Sequence, residues 1–389
     1  MIQNFEFYNP TRLIFGKNKI ETLGKYLPAR AKIMLLYGQG SIIKNGIYDK
    51  VKKILKQFDH IEFSGIEPNP KYETLMKAVE LAKSENVDFL LAVGGGSVID
   101  GTKFVAAAIP FQEGEPWKIL SERSIVNAAI PFGTILTLPA TGSEMNSGSV
   151  ISRNSTKEKF AFGSVHTYPK FSILDLSVLH SLPKTQIANG IIDAFIHTAE
   201  QYMTYPVNAQ LQDLFEESIL KTLIKEGPKV YKNSEDEEAG ANFMFSATMA
   251  LNGVISMGVP TDWSVHVIGH ELTALYGIDH GRTLAIILPS LYRRKISDKL
   301  EKLAQFGERV WDIKNGSPKE KALIAIDKTE EFFNSLGVLT RLREYGDDID
   351  LEFTVKELIS RFENRNVRGL GEKEIVSLED IENILRDSW

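Results

Sequence analysis

Residues 87–97, VDFLLAVGGGS, run from an unbroken apolar stretch into three glycines and a serine, and SVIDGTKF (97–104) then takes up a helical pattern. So short an apolar run, ended by glycine, reads as a strand buried on both faces that turns directly into a helix. Gly94, Gly95 and Gly96 permit a tight turn and close backbone approach, and the first amides of the helix can receive an anion. The loop is thus a pyrophosphate cradle or a plain tight turn. Outward from it, AKIMLLYG (31–38), HIEFSG (60–65), FGTILTLPAT (132–141) and FSILDLS (171–177) are strand-like, while SIIKNGIYDKVKKILKQF (41–58) and YETLMKAVELAKSEN (72–86) are helix-like. That alternation predicts βαβ units on a parallel sheet.

From about Pro183 the pattern changes. Long helical periods run through IANGIIDAFIHTAEQY (187–202), LQDLFEESILKTLIKEG (211–227) and AGANFMFSATMALNGVIS (239–256), and more follow to Trp389. HSLPK (180–184) supplies a helix start, because proline suits a first turn and not an interior. The expected organisation is an α/β domain with a parallel sheet over residues 1–180 and an all-α domain over residues 181–389.

The chain has 389 residues, enough for two substantial cores, with 43% hydrophobic and 25% charged residues, the balance of an ordinary soluble globular protein. A formal charge of -6 argues against non-specific nucleic-acid binding, which needs a concentrated basic face. Small molecules are the expected partners. There is no cysteine, which excludes disulfides, thiolate ligands and a cysteine nucleophile and leaves nitrogen and oxygen donors for any metal. MIQNFEFYNPTRLIFG (1–16) lacks the basic start and long apolar run of a signal peptide, and no stretch offers the roughly 18 apolar residues of a membrane span. The expected location is the cytoplasm, away from any membrane.

Four of the seven histidines lie between Asp193 and His280. In TQIANGIIDAFIHTAEQY (185–202), Ile187, Ile191, Ile192, Phe195 and Ile196 leave little of the helical cylinder polar, so this helix should be buried. Ionised Asp193 there carries a heavy desolvation cost unless a cation answers it, and His197, one turn on, points the same way. In DWSVHVIGHELTALYGIDHGRTLA (262–285), His266 and His270 repeat the four-residue spacing, and His280 follows at the end of that helix or just after it. One such pair is commonly a satisfied core or surface pair. Two of them point to a divalent-metal site, and three imidazoles with a carboxylate suit zinc or ferrous iron. Val267 stands where a zinc protease of the H-E-x-x-H type has its glutamate, which disfavours metal-assisted peptide hydrolysis.

An earlier strand ends in YGQGS (37–41), with Gly38, Gly40 and Ser41. A third glycine-bearing loop is LTLPATGSEMNSG (136–148), where Thr137, Thr141 and Asn146 can bond a nicotinamide or phosphate or simply build a turn. None of these is the G-x-G-x-x-G or Walker pattern, so ATP chemistry loses support. Residues 37–41 contain no acidic side chain. Enzymes selecting NAD commonly place a carboxylate against the ribose 2′-hydroxyl, a charge that repels a 2′-phosphate; the uncharged loop favours NADP(H), with NAD(H) as the alternative. Lys159 is either a solvated edge lysine or a cation over cofactor phosphates.

At these residues the chain closely resembles the iron-containing (group III) alcohol dehydrogenase family, in its butanol dehydrogenase and NADPH-dependent aldehyde reductase branch. The resemblance runs in order through NPTRLIFG (9–16), GIEPNP (65–70), LLAVGGGSVIDGTKF (90–104), LPATGSEMN (138–146), ANGIIDAFIHTAEQY (188–202) and VPTDWSVHVIGHELTALYGIDHG (259–281). It implies an N-terminal dinucleotide-binding α/β domain and a C-terminal helical metal-binding domain, an architecture like that of dehydroquinate synthase. By matching positions it implies Asp193, His197, His266 and His280 as metal ligands and His270 as a catalytic histidine near the nicotinamide. It places Gly38, Gly40 and Ser41 at the adenosine end of the cofactor and Asn69 beside the ribose. Gly94, Gly95, Gly96, Ser97 and Asp100 match the pyrophosphate motif, and Thr137, Thr141, Asn146 and Lys159 further cofactor contacts. Asp279 departs from the pattern, since many members carry proline before the last ligand.

The activity so implied is hydride transfer between NADP(H) and a small aldehyde or primary alcohol, by a homodimer carrying one divalent ion. Negative charge builds on the carbonyl oxygen in that reaction, which explains a cation without a nucleophile. His270 or ordered water would relay the proton. Phe245, Met249, Trp263 and Tyr276 could line an apolar pocket for the aldehyde, although core packing suits most of them as well. On related folds, a polyol dehydrogenase or a dehydroquinate-synthase-like lyase would share the glycine loop and the metal; the lyase also needs basic groups around a substrate phosphate, and no such cluster accompanies the histidines. A non-catalytic metal- and nucleotide-binding protein would be expected to use a closed site, often rich in cysteine.

Overall fold

The computed structural model describes residues 1–389. The backbone divides into two compact units, one formed by Tyr8–Pro183 with Ser234–Asn252, the other by Lys184–Asn233 and Gly253–Trp389 with Met1–Phe7.

The first unit is built on β1 (Arg12–Gly16), β2 (Ile33–Tyr37), β3 (His60–Phe63), β4 (Phe89–Gly94) and β5 (Phe132–Leu136), with an antiparallel hairpin of β6 (Gly148–Arg153) and β7 (Glu158–Gly163), and β8 (Phe171–Asp175). Six of these form one parallel sheet in the order β1-β8-β5-β4-β2-β3. β2, β4, β5 and β8 are buried along their whole length, which is why they read as continuous apolar runs. Gly133 in β5 leaves room for a neighbouring ring, since a β-carbon there would meet Phe171 at 2.3 Å. Parallel neighbours require crossovers, which the helices Ile47–Leu55, Tyr72–Ser84 and Gly96–Ala108 provide.

From β2 the chain runs outward to β3 and then returns to place β4 on the other side of β2, with Tyr37 in register with Val93. The strand order therefore reverses between β2 and β4. Open parallel sheets bind ligands at the carboxyl ends of such strands. Both glycine loops, 38–41 and 94–97, leave the sheet there side by side.

The helix Glu237–Met249 also belongs to this unit, although it comes from the helical half of the chain. Its Gly240 lies against Leu179, and the Thr248 hydroxyl donates to the Glu144 carboxylate. The sequence pattern extends this helix to Ser256, whereas the helix ends at Met249 and Gly253 adopts a left-handed conformation (φ 90). The glycine turn, with its φ open to no other residue at low cost, overrides the apolar period.

The second unit is helical apart from a short antiparallel pair, β9 (Gly369–Leu370) with β10 (Val376–Ser377). At its centre is the helix Lys184–Tyr202, buried at every residue from Ile187 to Tyr202. The helices Gln210–Lys232 and His280–Arg294 pack along it, and Ser264–Tyr276 packs on His280–Arg294. Behind it Phe195 meets Phe306, Phe332 and Phe333 with ring centroids 6.4, 5.6 and 5.5 Å away, edge-on or tilted. No helix is long and apolar enough to cross a membrane.

Candidate metal centre and nucleotide-type loops

The helix Ser264–Tyr276 begins after a left-handed turn at Trp263 (φ 68), a conformation that costs a bulky residue roughly 1–2 kcal/mol. Two bonds hold the turn. Asp262 Oδ1 accepts from the Ser264 amide at 2.8 Å, and the Asp262 amide donates to the Glu200 carbonyl at 3.0 Å. Gly277 (φ 70) ends the helix, and His280 opens the next one, His280–Arg294. The break between the two helices brings the His280 ring back to 5.3 Å from that of His266 and 4.8 Å from that of His270.

Asp193, His266 and His280 each present a ligand-type atom, all within 4.8 Å of one another. Asp193 Oδ1 lies 3.8 Å from His266 Nε2 and 3.7 Å from His280 Nε2. His197 stands outside that group of three but reaches the same oxygen through Nδ1 at 3.6 Å, with its ring stacked 4.5 Å from that of His266. These separations are too long for hydrogen bonds. They are close to the edges of a tetrahedral site, where ligands about 2.1 Å from an ion stand roughly 3.4 Å apart. Asp193 Oδ1, His197 Nδ1 and His266 Nε2 are buried without a hydrogen-bond partner. Orphaned polar atoms are costly, and this set, gathered around one carboxylate oxygen, fits a divalent cation.

The electrostatics agree. Burial opposes charge on Asp193, yet the surrounding imidazoles hold its carboxyl well below the ordinary range. Burial pushes His197 down to about 4, which leaves it neutral, as a ligand must be. His266 is also disfavoured as a cation by burial, but the carboxylates of Glu200 and Asp193 carry it up to about 9.

Glu200 went unnoticed in the sequence. Its Oε2 accepts from the Nδ1 of His266 and from the His266 amide (3.2 Å), while Oε1 accepts from the Val265 amide (2.6 Å). A signal was present, because Glu200 shares a helical stripe with Asp193 and His197. His270 is half-buried, its ring centroid 6.1 Å from that of His266. Trp263 stands edge-on to His266 at 5.3 Å and to His197 at 6.1 Å. Tyr276 hydrogen-bonds with Thr354 at 2.6 Å. Phe245, in the first unit, lies edge-on to Phe15, and Met249 receives a bond from Asn252 on its sulfur.

In the first unit, the helix Gly96–Ala108 starts at Gly95 without a side-chain cap, so its first turn keeps amides for an anion. The glycines also have a packing reason. A β-carbon at Gly94 would meet Val98 at 2.4 Å, one at Gly96 would meet Thr141 at 2.5 Å, and one at Gly38 would meet the Ile66 carbonyl at 3.2 Å. Gly40 has a left-handed φ of 105 and leads directly into Ser41. The Asn69 amide donates to Ser97 Oγ at 3.3 Å, and Lys159 donates to Asn69 Oδ1 at 2.9 Å, which ties three nucleotide-type residues together. Thr137 donates its amide to the Gly94 carbonyl at 3.0 Å.

Asp100 and Asn146 are occupied within the protein. Asp100 accepts from Ser143 Oγ and from the Val150 amide, and Asn146 accepts from Lys103 (2.8 Å) and the Gly148 amide while donating to the Gly142 and Leu251 carbonyls. Burial pushes Lys103, absent from the sequence reading, down to about 8 against the pull of Asp100 and Glu144. Its signal was weak, since a lysine in a helix usually marks a solvated face.

Residues 10–176 match the family model for iron-containing alcohol dehydrogenase, and residues 187–389 match the C-terminal model of the Fe-containing alcohol dehydrogenase family. The chain is 50% identical over 380 residues to NADPH-dependent aldehyde reductase YqhD of Escherichia coli, covering 97% of each. It is 39% identical over 393 residues to NADH-dependent butanol dehydrogenase A of Clostridium acetobutylicum, covering 99% of this chain and 100% of the other. The crystal structure of E. coli YqhD superposes with a TM-score of 0.97 at 48% identity, covering 100% and 99% of the two chains. That of NADH-dependent butanol dehydrogenase A from Thermotoga maritima gives 0.93 at 34% identity, covering 99% and 98%.

Proposed function

The chain belongs to the iron-containing alcohol dehydrogenase family, and from that premise we propose that it is a metal-dependent oxidoreductase moving a hydride between NADP(H) and small aldehydes or primary alcohols, with aldehyde reduction as its cellular direction. The observation that carries this reading is the meeting of Asp193, His266 and His280, with His197 against the same carboxylate oxygen. Asp193, His197, His266 and His280 would hold one ferrous or zinc ion. When bound, the ion supplies positive charge for a carbonyl oxygen gaining electron density, and the reduced nicotinamide supplies the hydride.

The chain's own residues do the rest. The Gly94–Ser97 turn receives the pyrophosphate on uncapped amides, with Asp100, Thr137, Thr141 and Asn146 shaping the surrounding loops. Gly38, Gly40, Ser41 and Asn69 form the adenosine end, and Lys159 brings a positive charge beside Asn69. Loop 38–41 carries no acid, and Glu62 on the adjoining β3 is already engaged by Tyr37, Tyr48 and Lys52. A 2′-phosphate would therefore meet little repulsion, which supports NADP(H) over NAD(H). His270 hands the product oxygen its proton. In the His270→Ala variant the pH–rate profile should lose the limb set by that group and turnover should fall; an unchanged profile at near-normal turnover removes His270 from the proton path.

We assign the dinucleotide to residues 1–180 and the metal to residues 181–389, in a cytoplasmic homodimer. The lack of cysteine supports the compartment, and the exposed apolar side chains of Ile2, Phe5 and Phe7 support a partner copy. The test is a kinetic screen of NADPH and NADH with butanal and shorter aldehydes after reconstitution with iron or zinc. NADPH should give a higher kcat/KM than NADH, since the uncharged loop does not repel a 2′-phosphate and Lys159, beside Asn69, brings a positive charge to this end of the cofactor. No aldehyde turnover by the metal-loaded protein would sink the enzyme reading, and a preference for NADH would sink the cofactor assignment.

A further inference from the structure

We infer that the helix Lys184–Tyr202 also sets the two histidines carried by other elements, with Glu200 and Asn189 acting as positioning residues at the two ends of its ligand stripe. The inference rests on the ligand reading given above. Asn189, Asp193, His197 and Glu200 fall within roughly 80° of arc at 100° per residue, so one helix face carries two ligand-type side chains between two hydrogen-bonding ones.

At one end, Glu200 grips the start of the neighbouring helix by three bonds, from the Val265 amide, the His266 amide and His266 Nδ1. An imidazole that gives its Nδ1 proton to a carboxylate presents Nε2 as the bare nitrogen. Nε2 is the atom that lies 3.8 Å from Asp193 Oδ1. Glu200 is 1% exposed, so water does not compete for these bonds. Its own carbonyl accepts from Asp262, which fixes the turn from which His266 emerges.

At the other end, Asn189 Nδ2 donates to Asp279 Oδ2 at 2.8 Å. Asp279 immediately precedes His280 and spends no side-chain bond on capping the helix that His280 opens. Its φ of -53 is one a proline ring would enforce; here a side-chain bond from the ligand helix holds the residue. Gly281, on the far side of His280, sits so close that a β-carbon would meet the Asn189 carbonyl at 2.6 Å. His280 is thus flanked on both sides by contacts to one residue of the ligand helix.

The test is competition for zinc between a chelator and the metal-free full-length protein. Glu200→Gln keeps the shape and one acceptor but turns an amide donor toward the second partner, and it should weaken zinc binding by about 10- to 100-fold. Glu200→Ala should weaken it at least as much. The cobalt(II)-loaded Glu200→Gln protein should show shifted visible absorption bands, while its metal-free form keeps wild-type helical circular dichroism. Asn189→Ala and Asp279→Ala should each weaken zinc severalfold, and the double variant no further than either one. A wild-type zinc affinity in Glu200→Gln overturns the role of Glu200, as does loss of helical dichroism in its metal-free form, since the residue would then be holding the fold. Additive effects of Asn189→Ala and Asp279→Ala overturn the second clamp. Zinc retained by His266→Ala strikes the ligand reading itself; zinc lost there but unaffected in Glu200→Gln strikes only this inference.

Discussion

Asp193→Asn is expected to release the divalent ion and lower kcat/KM for aldehyde reduction by roughly a thousandfold or more, the several kcal/mol that charge stabilisation by a metal supplies. The aspartate is the sole anion among the four proposed ligands, and its Oδ1 is the point on which all three imidazoles converge. It is 4% exposed, so its charge has no water to lean on. Asparagine keeps the volume and removes the only ligand charge, leaving three neutral imidazoles to hold a divalent ion with no anion to offset its charge away from water. Elemental analysis and steady-state kinetics on the same preparation check this, with circular dichroism to confirm the fold. Stoichiometric metal at near-native affinity in the variant would show that the carboxylate is not a ligand.

The largest effect on stability is expected from Lys299→Met, about 3–5 kcal/mol, the range found when one partner of a buried ion pair is removed. The Lys299 amine donates to Asp262 Oδ2, to both oxygens of Glu372 and to the Met203 carbonyl, and its side chain has no exposure. Methionine fills the space but leaves two carboxylates facing each other away from water. Burial and the neighbouring Asp262 already push Glu372 up to about 7, even with the Lys299 amine beside it. Chemical denaturation of the metal-free protein checks the figure. A loss below about 1 kcal/mol would place the group with ordinary surface pairs. Adding Glu372→Gln to Lys299→Met should recover part of the loss by removing one of the stranded charges. Because Asp262 braces the turn before His266, the single variant should also weaken metal binding.

Much of the fold was legible because its central elements are buried on every side. β2, β4, β5 and β8 announce themselves as unbroken apolar runs, and the ligand helix as an apolar cylinder interrupted by Asp193 and His197. β1 and the β6–β7 hairpin were harder to see. They are as long as the others but largely half-buried or exposed, so no unbroken apolar run marks them. The helix Glu237–Met249 has a helical pattern that anyone would read, but its place beside Leu179 and Glu144 depends on which surface receives it. His280 could be read as the tail of one helix, whereas Gly277 ends that helix and His280 begins another.

Local chemistry, then, was enough to establish the alternation of strand and helix, the glycine turns and a buried carboxylate that asks for a cation, since periodicity and desolvation act within one segment. Only the tertiary structure decided which side chains meet. Glu200 reads in the chain as one more helical glutamate, and it becomes the holder of a histidine 66 residues away only when packing removes both from water and leaves each as the other's partner.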